Sequence, residues 1–172
     1  MAESNALVCI LMGSDSDLEV MKEAARVLEE FGVAYEMDVT SAHRSPERTR
    51  RIVADAPARG VRVFIIGAGA AAHLAGVVAA ETTLPVIGVP LNASALSGVD
   101  ALYATVQMPA GIPVATMAIG KAGAANAAIL AVEILAIADA GLQGKLQDHK
   151  RKLAEGVERK STSLRERLRA EK

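Results

Sequence analysis

Three short segments carry the side chains best suited to chemistry. Gly13-Ser14-Asp15-Ser16-Asp17 sits between an apolar run and a helical pattern. Its backbone amides, with the hydroxyls of Ser14 and Ser16, suit an anion cradle, although the same residues also suit an ordinary helix cap. The loop is neither a Walker A loop nor Gly-x-Gly-x-x-Gly. Ser41-Ala42-His43-Arg44-Ser45-Pro46 places a titratable imidazole beside a fixed cation at a helix entry. Histidine suits proton transfer near neutral pH and arginine suits bidentate phosphate contact; a capping turn with two exposed polar side chains is the plainer reading. In Gly67-Ala68-Gly69-Ala70-Ala71-Ala72-His73-Leu74 the glycines suit close backbone approach to a ligand and the alanines leave a small dry pocket. His73 reads either as a core histidine or as part of a site where this loop meets the first. His149 lies in a charged tail and reads as solvated. No Cys/His cluster, carboxylate pair or His-Glu-x-x-His pattern occurs, so no metal site is expected. Ser97 and the other serines lack a nucleophile-elbow context. The residues describe a small phosphorylated metabolite held by Ser and Arg side chains, with His43 moving a proton.

The elements that must position these loops alternate from end to end. Strands are expected over residues 6–12, 35–39, 61–66, 85–89 and 113–119. Helices are expected over 18–31 (Leu18, Met21, Ala25 and Leu28 on one face, Gly32 closing it), from Pro46 to near Gly60, and over 72–81, 100–107 and 122–139. Ser45 reads as the cap of the second helix, with Pro46 at its first position and Glu47 facing the dipole. Beyond Gly141 a narrow stripe of Leu142, Leu146, Leu153, Val157, Leu164 and Leu168 suits a helix lying on a neighbour. Strand–helix alternation of this kind predicts a doubly wound parallel α/β sheet of five strands with helices on both faces, a flavodoxin-like three-layer domain over 1–141 and a helical tail over 142–172. Such sheets bind ligands beyond the carboxyl ends of their strands, where strand order reverses. The loops after strands one, two and three are therefore the expected site.

Composition narrows the function classes. Nineteen basic and 20 acidic residues give net −1, which does not suggest nucleic acid or an anionic membrane as partner. Only 2% of residues are aromatic, against a base-stacking platform. Residues 145–172 hold ten basic against five acidic residues, but the signs alternate as on a solvated helix. The single cysteine, Cys9, lies in an apolar run and reads as a buried inert thiol. Uncharged stretches at 63–80 and 101–120 are broken by Gly67, Gly69 and His73, and by Pro109, Gly111 and Pro113, so they read as segments of an α/β core rather than membrane spans. Met1-Ala2-Glu3-Ser4-Asn5 shows no signal-peptide pattern, and a cytoplasmic location is expected.

Five ordered motifs together resemble one family. Gly13-Ser14-x-Ser16-Asp17, Ser41-Ala42-His43-Arg44-x-Pro46, Gly67-Ala68-Gly69-x-Ala71-Ala72-His73-Leu74, Ser94-Ala95-Leu96-Ser97-Gly98-x-Asp100 and Gln107-Met108-Pro109-x-Gly111-Ile112-Pro113-Val114 resemble the N5-carboxyaminoimidazole ribonucleotide mutases of purine biosynthesis, the class I catalytic-subunit family of phosphoribosylaminoimidazole carboxylase. The likeness runs from about Val8 to Asp139. It implies a cofactor-free isomerase that converts N5-carboxyaminoimidazole ribonucleotide into 4-carboxy-5-aminoimidazole ribonucleotide, working as a homo-octamer with sites at subunit junctions. By the same resemblance, His43 is the general acid/base. Ser14, Ser16, Ser41 and Arg44 hold the substrate phosphate, with Ala42 beside them. Asp17 binds the ribose hydroxyls, and Gly69, Ala70, His73 and Leu74 surround the migrating carboxylate.

Two positions depart from the family pattern: Ala70 stands where glycine is usual and Ala75 where proline is usual. If position 70 requires positive φ, alanine strains the loop; otherwise its methyl trims the pocket. Two other functions remain to be weighed. The sister carboxylase uses aminoimidazole ribonucleotide and CO2 directly, but its pattern has Lys after the loop-two histidine and lacks Ala-Ala-His-Leu, whereas this chain has Arg44 and Ala71-Ala72-His73-Leu74. A non-catalytic flavodoxin-like nucleotide-binding module would stack a ring on aromatics, and Phe31, Tyr35, Phe64 and Tyr103 all fall in expected core elements.

Overall fold

A computed structural model describes residues 6–171; the reading of residues 1–5 lies outside them. The chain divides into two compact units at the Val132/Glu133 junction. The first holds strands β1 (Val8–Met12), β2 (Tyr35–Val39), β3 (Val63–Gly69), β4 (Val86–Leu91) and β5 (Ala115–Thr116). Between them lie helices α1 (Leu18–Phe31), α2 (Pro46–Asp55), α3 (Leu74–Glu81) and α4 (Val99–Val106), and α5 (Lys121–Ala136) follows β5 across the unit junction. The strands form one parallel sheet in the order β2-β1-β3-β4-β5, the doubly wound flavodoxin-like order. β1, β3 and β4 read as near-continuous apolar runs because helices cover both of their faces.

Helix α1 follows its apolar spacing: Met21, Ala24, Ala25, Val27, Leu28 and Phe31 are buried, while Leu18 is exposed. It stops at Gly32, whose φ of 70° closes the last turn. Cys9 is buried in β1, and burial pushes its thiol pKa up, consistent with an inert core group.

Several expected boundaries shift for identifiable reasons. β3 continues through Gly67-Ala68-Gly69 instead of ending at Ile66, because Met12 of β1 pairs beside Gly67, and Pro90 and Leu91 of β4 beside Ala68 and Gly69. Gly67 serves packing rather than ligand approach, since a Cβ there would collide with Met21. β4 likewise runs through Pro90 to Leu91. β5 shrinks to Ala115–Thr116, beside Ile87 and Gly88; Pro90 has no N–H to extend that ladder, and Gly120 donates to its carbonyl at 2.9 Å instead. α2 ends at Asp55, ahead of Pro57 and a short 3-10 turn that Gly60 closes at φ 94°. α3 begins at Leu74 rather than at residue 72.

The second unit contains the end of α5 and the long helix α6 (Ala140–Ala170). Asp139 caps α6 by accepting from the Leu142 amide at 3.0 Å. Leu153, Val157, Leu164 and Leu168 are exposed along it. No helix among the described residues is long and apolar enough to cross a membrane.

Candidate active site

The carboxyl ends of β1, β2 and β3 converge because β1 lies between the other two, and their following loops enclose a cavity of about 370 Å³. Ser14, Ser16, Asp17, Ser41, Ala42, His43, Arg44, Gly69, Ala70, His73 and Leu74 all line it. The structure thus brings together every site residue expected from the sequence. It adds Gly13, Ala68, Ala71 and Ala93. Ala93 follows β4, beyond the three loops singled out; the adjacency of β4 and β3, which brings it against Gly69, is a tertiary fact.

The first loop forms a compact cap. Ser14 accepts the Ser16 amide at 3.4 Å on its hydroxyl, and Asp17 returns a carboxylate oxygen to the Ser14 amide at 3.0 Å. Both expected readings therefore coexist, since the capping residues also face the cavity. Asp17 is only 8% exposed, and burial holds its carboxyl above the usual range against the opposing pull of the Ser14 amide.

In the second loop Ser45 does not cap α2 with its side chain. Its hydroxyl instead accepts from the Ser41 amide at 3.1 Å and donates to the Ser41 carbonyl at 3.2 Å. The Arg44 amide donates to the Ser41 hydroxyl at 3.1 Å, so the turn is closed on itself before the helix begins. Below it, the buried hydroxyls of Thr40 and Thr49 meet at 2.8 Å. This turn carries His43 and Arg44, both exposed, and the Arg44 guanidinium reaches across to donate to the Gly13 carbonyl at 3.2 Å. A fixed cation thus joins the first two loops beside the serine hydroxyls, an arrangement able to hold a phosphate-sized dianion.

The third loop resolves two questions. Ala70 has a φ of 51°, so a left-handed conformation is occupied by a residue with a Cβ. His73 is exposed rather than a core histidine, and its Nδ1 lies 2.8 Å from Nε2 of His43. The two rings stand 4.9 Å apart at 81°. Around them Ala68, Gly69, Ala70, Ala71 and Leu74 supply a small apolar wall.

The aromatic residues lie elsewhere. Phe31 and Phe64 are buried in the core, and Tyr35 donates to Glu29 at 2.7 Å. Tyr103, expected in a core element, is exposed, because α4 turns Ala101 and Thr105 inward instead. None of these four lines the cavity, which leaves a stacked flavin without a partner there.

A family model described as AIR carboxylase matches residues 7–156. The N5-carboxyaminoimidazole ribonucleotide mutase of Pyrococcus horikoshii is 53% identical over 166 residues, spanning 96% of this chain and 93% of that protein. The protein of the same name from Pyrococcus abyssi is 58% identical over 143 residues, 83% of this chain and 81% of the relative. Among solved structures, Treponema denticola PurE superposes with a TM-score of 0.84 at 28% identity, covering 92% of this chain and 98% of that one.

Proposed function

Because this chain belongs to the AIR carboxylase family, we propose that it converts N5-carboxyaminoimidazole ribonucleotide into 4-carboxy-5-aminoimidazole ribonucleotide, a mutase step of purine biosynthesis. The observation that carries this reading is a single cavity with two chemically different walls, one of hydroxyls and a guanidinium, the other of alanine and glycine around an imidazole pair. Ser14, Ser16, Ser41 and Arg44 hold the phosphate, with Ala42 shaping the turn between them. Asp17 takes the ribose hydroxyls, using the carboxylate oxygen that the Ser14 amide does not engage. His43 gives a proton to N5 as the N5–carboxyl bond breaks, with the bonding pair going to nitrogen and CO2 leaving. Gly69, Ala70, His73 and Leu74 keep that small molecule beside the ring with water excluded. The electron-rich C4 then bonds to the CO2 carbon, and the C4 proton passes back to His43, so the side chain ends as it began.

The working protein is a cytoplasmic homo-oligomer, an octamer, whose catalytic domain spans 1–141. The tail from residue 142 packs on a neighbouring subunit, and residues 107–114 help to complete a neighbour's site. The exposed Leu153, Val157, Leu164 and Leu168 on α6 support this assembly, as does the predominantly exposed 107–114 segment.

An ultraviolet assay comparing the carbamate substrate with aminoimidazole ribonucleotide plus bicarbonate tests the reaction. Turnover of the carbamate without added bicarbonate is expected. Turnover of only the second mixture would assign direct carboxylation instead, a reading that Arg44 and Ala71-Ala72-His73-Leu74 disfavour.

A further inference from the structure

The two imidazoles of the cavity are not independent. Nε2 of His43 and Nδ1 of His73 are 2.8 Å apart, a separation at which one nitrogen must donate and the other accept. Two N–H groups would repel at this distance, so the bonded pair carries at most one extra proton. When His43 is the imidazolium, its Nε2–H points at His73, which must then be neutral with its own hydrogen on Nε2. The transferable proton of His43 lies on Nδ1. Once that proton has left, the Nε2–H···Nδ1 bond persists and His43 Nδ1 carries a lone pair. The same atom, in the same place, has changed from acid to base.

His73 is suited to hold this geometry because its backbone is anchored at the start of α3. Its amide donates to the Ala71 carbonyl at 2.8 Å and its carbonyl accepts from the Val77 amide at 3.0 Å. His43 is held equally from the other side by the closed Ser41–Ser45 turn. Which nitrogen of a histidine carries hydrogen is set by the bond its other nitrogen makes. A base oriented by a third group is the general pattern of activated proton carriers.

We infer that His73 is a positioning residue that keeps the hydrogen of neutral His43 on Nε2, so that Nδ1 of His43 both donates the first proton and accepts the second. The contact fixes one donor and one acceptor; that His43 is the donor, like the reaction steps, rests on its role as proton carrier in the mutase reading, and the tautomer itself is measured independently of turnover. The proton given to N5 and the proton taken from C4 balance, so each turnover leaves the proton count of the pair unchanged.

The test uses three variants and two readouts. The chain has only three histidines, so 15N-histidine labelling of the intact ligand-free protein resolves the His43 tautomer. The wild type is expected to show hydrogen on Nε2 of neutral His43, whereas His73→Phe, which keeps a planar ring but no nitrogen, gives a mixture of tautomers. His73→Phe should also lower kcat roughly tenfold or more, a part of the ~10²–10⁴ that general acid–base catalysis supplies, with KM changed little. His73→Asn, whose amide oxygen can accept from His43, should restore the tautomer and most of kcat. His73→Leu serves as a second probe without a hydrogen bond if the phenylalanine disturbs folding. An unchanged tautomer in folded His73→Phe or His73→Leu would overturn the inference. So would a rise in KM at constant kcat, which would make His73 a binding residue alone. A fixed tautomer in a chain that does not turn over the carbamate would refute the mutase reading and leave the positioning role standing.

Discussion

Replacing Ala70 with glycine should stabilise this protein, the opposite of what that substitution does at most positions. The φ of 51° puts the Ala70 Cβ against its own carbonyl, at a cost of about 1–2 kcal/mol for an L-residue. Glycine removes that strain but enlarges the conformational freedom lost on folding by about 0.4–1 kcal/mol. The difference is a gain of up to about 1.6 kcal/mol and of about 0.8 kcal/mol at the midpoints, or a rise in Tm of roughly 2–3 °C for a chain of this length. Urea denaturation at fixed protein concentration without ligand measures it. Ala71→Gly is the control, since Ala71 is not among the positive-φ residues and its replacement should lose about 0.4–1 kcal/mol with no strain relieved. Equal losses in the two variants would refute the reasoning. Because the Ala70 methyl also lines the cavity, the stabilised variant should retain CO2 less well. The product carboxylate should then exchange more readily with dissolved 13C-bicarbonate.

Four further outcomes are expected. His43→Asn should fold normally and lose activity by at least about 100-fold, measured by the ultraviolet assay. Arg44→Ala should weaken binding of the nucleotide by about 1.5–3 kcal/mol in titration calorimetry, and binding of the dephosphorylated analogue far less; equal weakening would show that Arg44 does not read the phosphate. Asp17 has a folded-state pKa raised above 3.8, so the folded chain binds that proton more tightly than the unfolded one. The wild type should therefore lose stability relative to Asp17→Asn as pH rises from 3.8 through the raised value, as denaturant titrations across that window would reveal. Truncation after Asp139 should lower both oligomer stability and activity; light scattering that returned the full-length protein as a stable, fully active particle of about 18 kDa would oppose the assembly.

Local chemistry made much of this protein legible in its sequence. The apolar spacing of residues 18–31, with Gly32 after them, marked α1 to the residue, because a helix stripe and its left-handed cap are both short-range features. Strand–helix alternation predicted the doubly wound sheet, and that topology selected the three loops that supply all of the cavity lining but Ala93. What the sequence misplaced or left open depended on distant partners. Whether Gly67–Gly69 is loop or strand was decided by β1 and β4 on either side, and the length of β5 by the missing amide of Pro90, a residue of another element. The backbone at Ala70 could be posed as a question but not answered until the turn out of β3 was formed. His43 and His73 are thirty residues apart, and each looked like a lone imidazole with a plainer alternative. Only the parallel order β2-β1-β3, which stacks their loops over the same end of the sheet, makes them one hydrogen-bonded pair.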